Sequence, residues 1–351
     1  MNSSKNKTIA KKITAVIFMP LFIYLLMAII SGAQGRPFNI FDGDTVKNII
    51  QNSCYMALVA LGIGFQLKYG RFDFSGGAII VISALITAKF VDATHAPLFV
   101  ATLVAIISGI ALSVLNSLIY IGFRVPISVI SLATAYLFES FSGLITGTNS
   151  VPQMQYTEAY NQIRYFPLVL VPLLIGVALY VVYGHFTVAG KQSKLLRENQ
   201  KAAVNIGINE KKNTIITYVV SGTIFGLAAI LYATSNTLSK VASPLDTAGT
   251  LFSNIVPSLV GLFLSRYIDD SAGTFIGALT ITILYYGLDV MGVGSGIKTV
   301  CYSIFLAIFI FISGFWDQIW AFLRTQFNKI KTKKNPSEGS GDGNLISEAS
   351  K

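Results

Sequence analysis

Ten apolar stretches follow one another along the chain, at 13–30, 46–67, 75–91, 97–122, 126–147, 163–184, 214–234, 251–265, 273–288 and 297–320. A bilayer core about 30 Å thick takes roughly 20 apolar residues per spanning helix. Inside hydrocarbon, only helices and closed barrels satisfy every backbone polar group. The pattern therefore predicts an all-α polytopic membrane protein with about ten transmembrane helices. Charge agrees, since 12% of residues are charged where soluble domains carry about 25%. A soluble enzyme is excluded on that ground. So is a disulfide-stapled secreted domain, because the two cysteines, Cys54 and Cys301, lie inside apolar runs. The stretch 251–265 is short for a crossing and reads as a tilted or broken helix enclosed by others.

The net charge of +10 would suggest nucleic acid in a soluble chain, so its placement decides its meaning. With the amino terminus in the cytoplasm, 20 basic residues fall inside and six outside: Arg36, Lys47, Lys89, Arg164, Lys240 and Lys298. That asymmetry follows the positive-inside rule and puts both termini in the cytoplasm. Three parts result: an N-terminal tail at 1–12, a membrane domain at 13–320 with a large inside loop at 185–213, and a basic C-terminal tail at 321–351. From Asn335 onward the tail is rich in Ser, Gly and Glu and is expected to be disordered. The first apolar stretch, with Lys11 and Lys12 before it and Ser31, Gly32 and Ala33 after, imitates a secretory signal. It is longer than the usual apolar region of such a signal and reads as an uncleaved helix.

No Walker-type phosphate loop is present, so ATP hydrolysis is not expected in this chain. The histidines His95 and His185 are not near a ligand cluster of metal-binding spacing, and no metal is expected. The intramembrane polar residues are more telling. Ser128, Ser131, Glu139, Ser142 and Thr146 fall on one helical stripe, and Thr102, Gly109, Ser113, Asn116 and Tyr120 on another. Small and hydroxyl residues at such positions serve helix–helix contact. A carboxylate in hydrocarbon is costly, so Glu139 faces either the bundle interior or a watery path. Of the longer connections, 31–45 and 148–163 lie outside and 185–213 inside. They are either solvated linkers or docking surfaces on opposite faces.

The inside loop predicts one helix from Ser193 to Ile206, stopped by Gly207 in a left-handed conformation. Its small and charged face suits either a groove in another protein or an anionic lipid surface. Within it, Asn199-x-x-Ala202-Ala203-x-x-x-Gly207-Ile208-Asn209 resembles the cytoplasmic coupling loop of ABC importer permeases of the ribose/xylose/galactose class, related to the branched-chain amino-acid permeases. Gly70-Arg71-Phe72-Asp73-Phe74-Ser75-Gly76-Gly77, after Leu61-Gly62, is similar to that family's Gly-Gly-Ile-Asp-Leu-Ser-Val-Gly segment. Leu115-Asn116, Arg124-Val125-Pro126, Ser131 to Thr134 and Gly143 to Gly147 resemble further family motifs, so the likeness runs over about 46–314. Arg71 stands where the family usually has its second glycine, and Ser265 to Asp270 replace a Gly-rich turn. Asp73, Gly76 and Ile79 recur 197 residues later as Asp270, Gly273 and Ile276, a faint internal echo.

The resemblance implies a type II-like importer permease bundle in a bacterial cytoplasmic membrane. It implies alternating access driven by a separate cytoplasmic ATPase that uses ATP, an outer solute-binding protein, and a second permease subunit in a homo- or heterodimer. No cofactor is expected in this chain. Contact with the ATPase would fall on Glu198, Asn199, Ala202, Ala203, Gly207, Ile208 and Asn209. Asp73, Ser75 and Asn116, within the matched motifs, join Glu139 and Ser142 as candidates for the translocation path. The expected solute is a small polar molecule, a monosaccharide or nucleoside. The alternatives are a branched-chain amino-acid permease, an ion-coupled secondary transporter using Glu139, and a membrane scaffold.

Overall fold

The computed structural model describes residues 2–315 and 318, apart from 37, 41, 124, 148–153 and 155–156. It divides into two units, Met1–Ser295 and Gly296–Lys351. In the first, the long helices are α1 (Asn2–Ala33), α2 (Gly43–Lys68), α3 (Gly76–Thr94), α4 (Leu98–Phe123) and α5 (Ile127–Thr146). The single turn α6 (Glu158–Asn161) precedes α7 (Leu170–Val181), which runs through a wider turn at Val182–Phe186 into α8 (Val188–Glu198). Then come α9 (Gln200–Asn205), α10 (Glu210–Ser235), α11 (Ala248–Leu264) and α12 (Asp270–Val290). No strand occurs among the described residues. The second unit holds all but the first residue of α13 (Ser295–Gly314), an apolar helix with Ile297, Val300, Ile304, Ile308 and Phe311 exposed along it. The tail expected at 321–351 lies outside the described residues, as does part of the outer loop 148–163.

Each of the ten apolar stretches has its helix. Among the described residues, eight helices are long and apolar enough to cross a bilayer, nine if the bent pair of α7 and α8 forms one span, and α11 is shorter. The 17 residues of α11 reach only about 26 Å at 1.5 Å per residue, short of a hydrocarbon core of about 30 Å. Its burial resolves the shortfall, since Asn254, Ile255, Val256, Pro257, Ser258 and Val260 are all enclosed by protein.

The core of the first unit is built from α2, α3, α10, α11 and α12, most of whose residues are buried. In contrast, α1 exposes Phe18, Phe22, Leu25 and Ile29 and buries Ile23 and Met27 against α12, where Gly287 makes room for the Met27 side chain. Large apolar side chains facing outward along a whole helix are what a lipid solvent accommodates. The polar stripe of α4 proves largely to be a packing surface. A Cβ on Gly109 would sit 2.5 Å from the Gly222 carbonyl oxygen of α10, and one on Gly222 2.8 Å from Ser113. Dispersion between closely approaching backbones holds such a crossing, since lipid offers no hydrophobic drive for it.

Candidate functional site

The turn between α2 and α3 carries the first polar centre. Asp73 Oδ1 accepts hydrogen bonds from the Ser75 amide at 2.8 Å and the Ser75 hydroxyl at 2.7 Å, closing an Asx turn that starts α3. From α4, Asn116 Nδ2 donates to Ser75 Oγ at 2.8 Å and to Asp73 at 3.2 Å. From α5, the Thr134 hydroxyl donates to Asn116 Oδ1 at 2.8 Å, and Ser131 Oγ accepts the Phe74 amide at 2.9 Å. The structure thus brings Asp73, Ser75 and Asn116 into one buried network joining three elements. Burial pushes the Asp73 carboxyl above its ordinary range, opposed by the hydrogen bonds from Ser75.

Glu139 and Ser142 belong to a different place. They reach the segment 236–247 that leads into α11. Glu139 Oε1 accepts the Thr247 amide at 2.8 Å and its hydroxyl at 2.6 Å, while Oε2 accepts the Leu245 amide at 2.6 Å. Ser142 Oγ accepts the Val241 amide at 3.0 Å. Leu245 has φ of 60°, an uncommon conformation for a branched side chain. The buried carboxylate therefore holds two backbone amides of a strained approach to α11. The adjoining cavity, lined by Tyr232, Lys240, Asp246 and Thr247, encloses about 80 Å³. That is well below the roughly 300 Å³ at which small-molecule pockets begin.

The third centre lies where α2 ends, α12 begins and α7 turns. Lys68 Nζ stands 2.6 Å from Asp270 Oδ2, and both side chains are nearly enclosed. Tyr180 of α7 donates its hydroxyl to the same carboxylate at 2.9 Å, and its ring lies 4.6 Å from the ammonium. A buried pair with an added donor and a π face is satisfied on several sides, which such a pair needs to be tolerated. One residue earlier, Asp269 accepts from Ser271 and lies 3.0 Å from His185 Nε2. Burial pushes the Asp269 carboxyl up, but the hydrogen bonds from Ser271 and His185 outweigh it and hold it low. His185, Asp269 and Asp270 come within 4.8 Å of one another. The Lys68 ammonium already neutralises Asp270, so this is an ion-pair network. None of these residues was singled out as a site from sequence, although opposite charges flanking two apolar stretches were visible.

The Asx turn at Asp269 and Ser271 repeats the one at Asp73 and Ser75. The two turns correct the register of the internal echo from 197 to 196, matching Asp73 with Asp269, not with Asp270.

At Thr187 the chain bends by 71° between the α7 segment and α8. The Thr187 hydroxyl donates to Tyr183 O and accepts the Gly190 amide. A Cβ on Gly190 would lie 2.0 Å from Tyr183 O, so only glycine lets α8 fold back this closely. The single helix predicted from Ser193 to Ile206 is two helices. Asn199 breaks it with φ of −154° and caps α9 by accepting the Ala202 amide at 3.0 Å. Gly207, at φ of +92°, ends α9 as expected. Ala203 was expected on the loop's outer face, but it is buried with Leu196 and Ile208 in a small core of the loop's own. Glu198, Asn199, Ala202, Gly207 and Asn209 are exposed, together with Leu195, Val204 and Ile206. From α8, Arg197 donates to the Lys68 carbonyl at 2.9 Å.

Residues 45–313 match the family described as branched-chain amino acid transport system, permease component. The chain belongs to that family. It is 25% identical over 300 residues to the ribose import permease protein RbsC of Bacillus subtilis (strain 168), covering 83% of this chain and 89% of that one. The same protein of Escherichia coli (strain K12) is 25% identical over 286 residues, 78% of this chain and 85% of its own length. The D-allose transport system permease protein AlsC of the same strain is 23% identical over 282 residues, 78% and 83% of the two chains. No solved structure matches the chain. Family membership and the apolar helices make this permease a multi-pass protein of the bacterial inner membrane.

Proposed function

We propose that this permease carries a monosaccharide inward as the membrane subunit of an ABC importer, with the loop 185–209 as its contact for a cytoplasmic ATPase. The solute class is supported by relatives named for ribose and D-allose over about four-fifths of the chain. A fructose import permease protein, FruG of Bifidobacterium longum (strain NCC 2705), adds a 22% identical relative. Those names favour a sugar over a branched-chain amino acid. An ion-coupled mechanism has little to work with, because Glu139 is engaged by three hydrogen bonds.

One observation carries the coupling role. The elbow at Thr187 is fastened to two transmembrane helix ends at once: to α2 through Arg197 and Lys68, and to α12 through Tyr180 and His185. An ATPase that closes on α8 and α9 displaces a piece already tied to α2 and α12. It thereby biases the membrane helices between two arrangements by its differential contact with each. A solute-binding protein on the outer face and a second permease subunit complete this proposal.

Ile206 is 73% exposed and is the clean test. An arginine there leaves the loop core intact but buries an unpaired charge in the docked complex, at about 3–5 kcal/mol. That corresponds to roughly 100-fold or more in association. Ile206→Arg should reach the membrane in normal amount, lose its ATPase on purification, and lose uptake of labelled ribose. Retained ATPase association would remove the docking assignment, and uptake of leucine without any pentose or hexose would remove the solute class. Ala203→Arg is the poorer probe, since Ala203 packs against Leu196 and Ile208 and the charge would break the loop from within.

A further inference from the structure

We propose that Tyr69 is a second, state-dependent partner of the buried Asp270 carboxylate: its hydroxyl takes the place of the Tyr180 hydroxyl when the elbow between α7 and α8 is displaced. The proposal rests on the reading of the 185–209 loop as the ATPase contact, and adds to it the residue that lets the elbow move.

The carboxylate is only half engaged. Lys68 Nζ and the Tyr180 hydroxyl both meet Oδ2, at 2.6 and 2.9 Å. Among the described residues no hydrogen bond or ion pair reaches Oδ1. An ionised carboxylate has about four acceptor sites, so capacity remains.

A donor without an acceptor lies close by. Tyr69 follows Lys68 at the end of α2, is 4% exposed, and has a buried hydroxyl with no hydrogen-bond partner among the described residues. Buried hydroxyls are nearly always paired, so an orphaned one asks for a reason. Its ring cannot swing out to water easily, because Phe65 and Tyr183 hold it edge-on at 5.3 and 5.6 Å between centroids. The hydroxyl and the Lys68 ammonium both border Gly184 in the wider turn: a Cβ built there would lie 3.5 Å from the one and 3.4 Å from the other. Burial, then Tyr183, then the Asp270 charge push the Tyr69 hydroxyl's pKa up, against Arg71.

The two hydroxyls ride on different pieces. Tyr69 moves with the α2 end that carries Lys68, whereas Tyr180 sits on α7, two residues before the wider turn. An ATPase that shifts α8 and α9 draws Tyr180 with them and strips Oδ2 of a donor. Unreplaced, a lost charged hydrogen bond tilts the balance between the two arrangements about tenfold or more. Tyr69 turning onto the carboxylate restores the bond and keeps the two arrangements close in energy, as a ligand-driven switch requires.

The test is ATP hydrolysis by the permease purified with its ATPase in nanodiscs. It is read beside melting of the free permease, followed by dye labelling of the buried Cys54 in a Cys301→Ser background. Tyr69→Phe removes only the hydroxyl. The free variant should melt no earlier than wild type, since that hydroxyl bonds nothing here, yet hydrolysis should fall about tenfold. Tyr180→Phe should melt earlier. Adding it to Tyr69→Phe takes one donor from each arrangement, and hydrolysis should recover most of the loss. A purely structural Tyr69 would instead make the double variant the slowest of the three. That result, unchanged hydrolysis in Tyr69→Phe, or early melting of free Tyr69→Phe would each overturn the exchange of partners. Failure of the docking reading shows elsewhere, as an ATPase retained by Ile206→Arg.

Discussion

Replacing Glu139 by glutamine separates a side chain that holds backbone from one that lines a path. The carboxylate offers Oε1 to the Thr247 amide and hydroxyl and Oε2 to the Leu245 amide. Glutamine has one carbonyl oxygen and one NH2 group. With its oxygen kept on Thr247, its NH2 meets the Leu245 amide, donor against donor. One unsatisfied buried N–H costs about 1–3 kcal/mol, and the two retained bonds lose their charge-assisted strength. Alanine abandons all three donors, for a loss of roughly 3–6 kcal/mol once neighbouring groups relax. The order of stability should therefore be wild type, then Glu139→Gln, then Glu139→Ala. Cys54 is fully buried, so its labelling by a thiol-reactive dye on heating, in a Cys301→Ser background, reports unfolding directly. A glutamine variant that melts like wild type yet has lost uptake would refute the argument and return Glu139 to the path.

Three more outcomes follow from the geometry. Lys68→Met leaves Asp270 buried and unpaired and should destabilise by about 3–5 kcal/mol; adding Asp270→Leu should recover much of that in the same melting assay. Gly109→Val would drive a side chain into the Gly222 carbonyl, and the yield of folded permease in detergent should collapse, while Gly143→Ala, which meets open space, should not change it. Asp73 has a folded-state pKa raised by burial, so the folded form binds its proton more readily than the unfolded form. Stability from this group rises as pH falls through the raised value and is lost as pH rises through it. Asp73→Asn should keep the turn and flatten that part of the pH–stability profile; an unchanged profile would contradict the assignment.

The membrane helices were legible because length and hydropathy are local quantities, and the shortness of α11 was legible for the same reason. Gly207 was legible as a stop because only a residue at ease in the left-handed region ends a helix there. The break at Asn199 was written in the sequence too, since asparagine is a favoured N-cap. The good helix formers on either side, from Ser193 to Glu198 and from Gln200 to Asn205, masked it. What pattern could not show was partnership across distance. Glu139 meets backbone amides more than 100 residues away, and amides carry no mark in a sequence. Lys68 and Asp270 each looked like an ordinary charge at a membrane border. One straight helix from Ser193 to Ile206 would leave Ala203 exposed. Folding it at Asn199 turns that methyl inward.

The small core of Leu196, Ala203 and Ile208 makes the 185–209 loop a solid piece rather than a flexible strap. Its inner face fixes its own shape, while Val204 and Ile206 outside it carry no such duty. Under the docking proposal, its outer side chains are free to drift with whichever ATPase an organism supplies, and the direction in which a thrust would reach α2 and α12 stays the same. Exchanging only those outward residues between two such permeases should exchange their motors and leave their cargo unchanged.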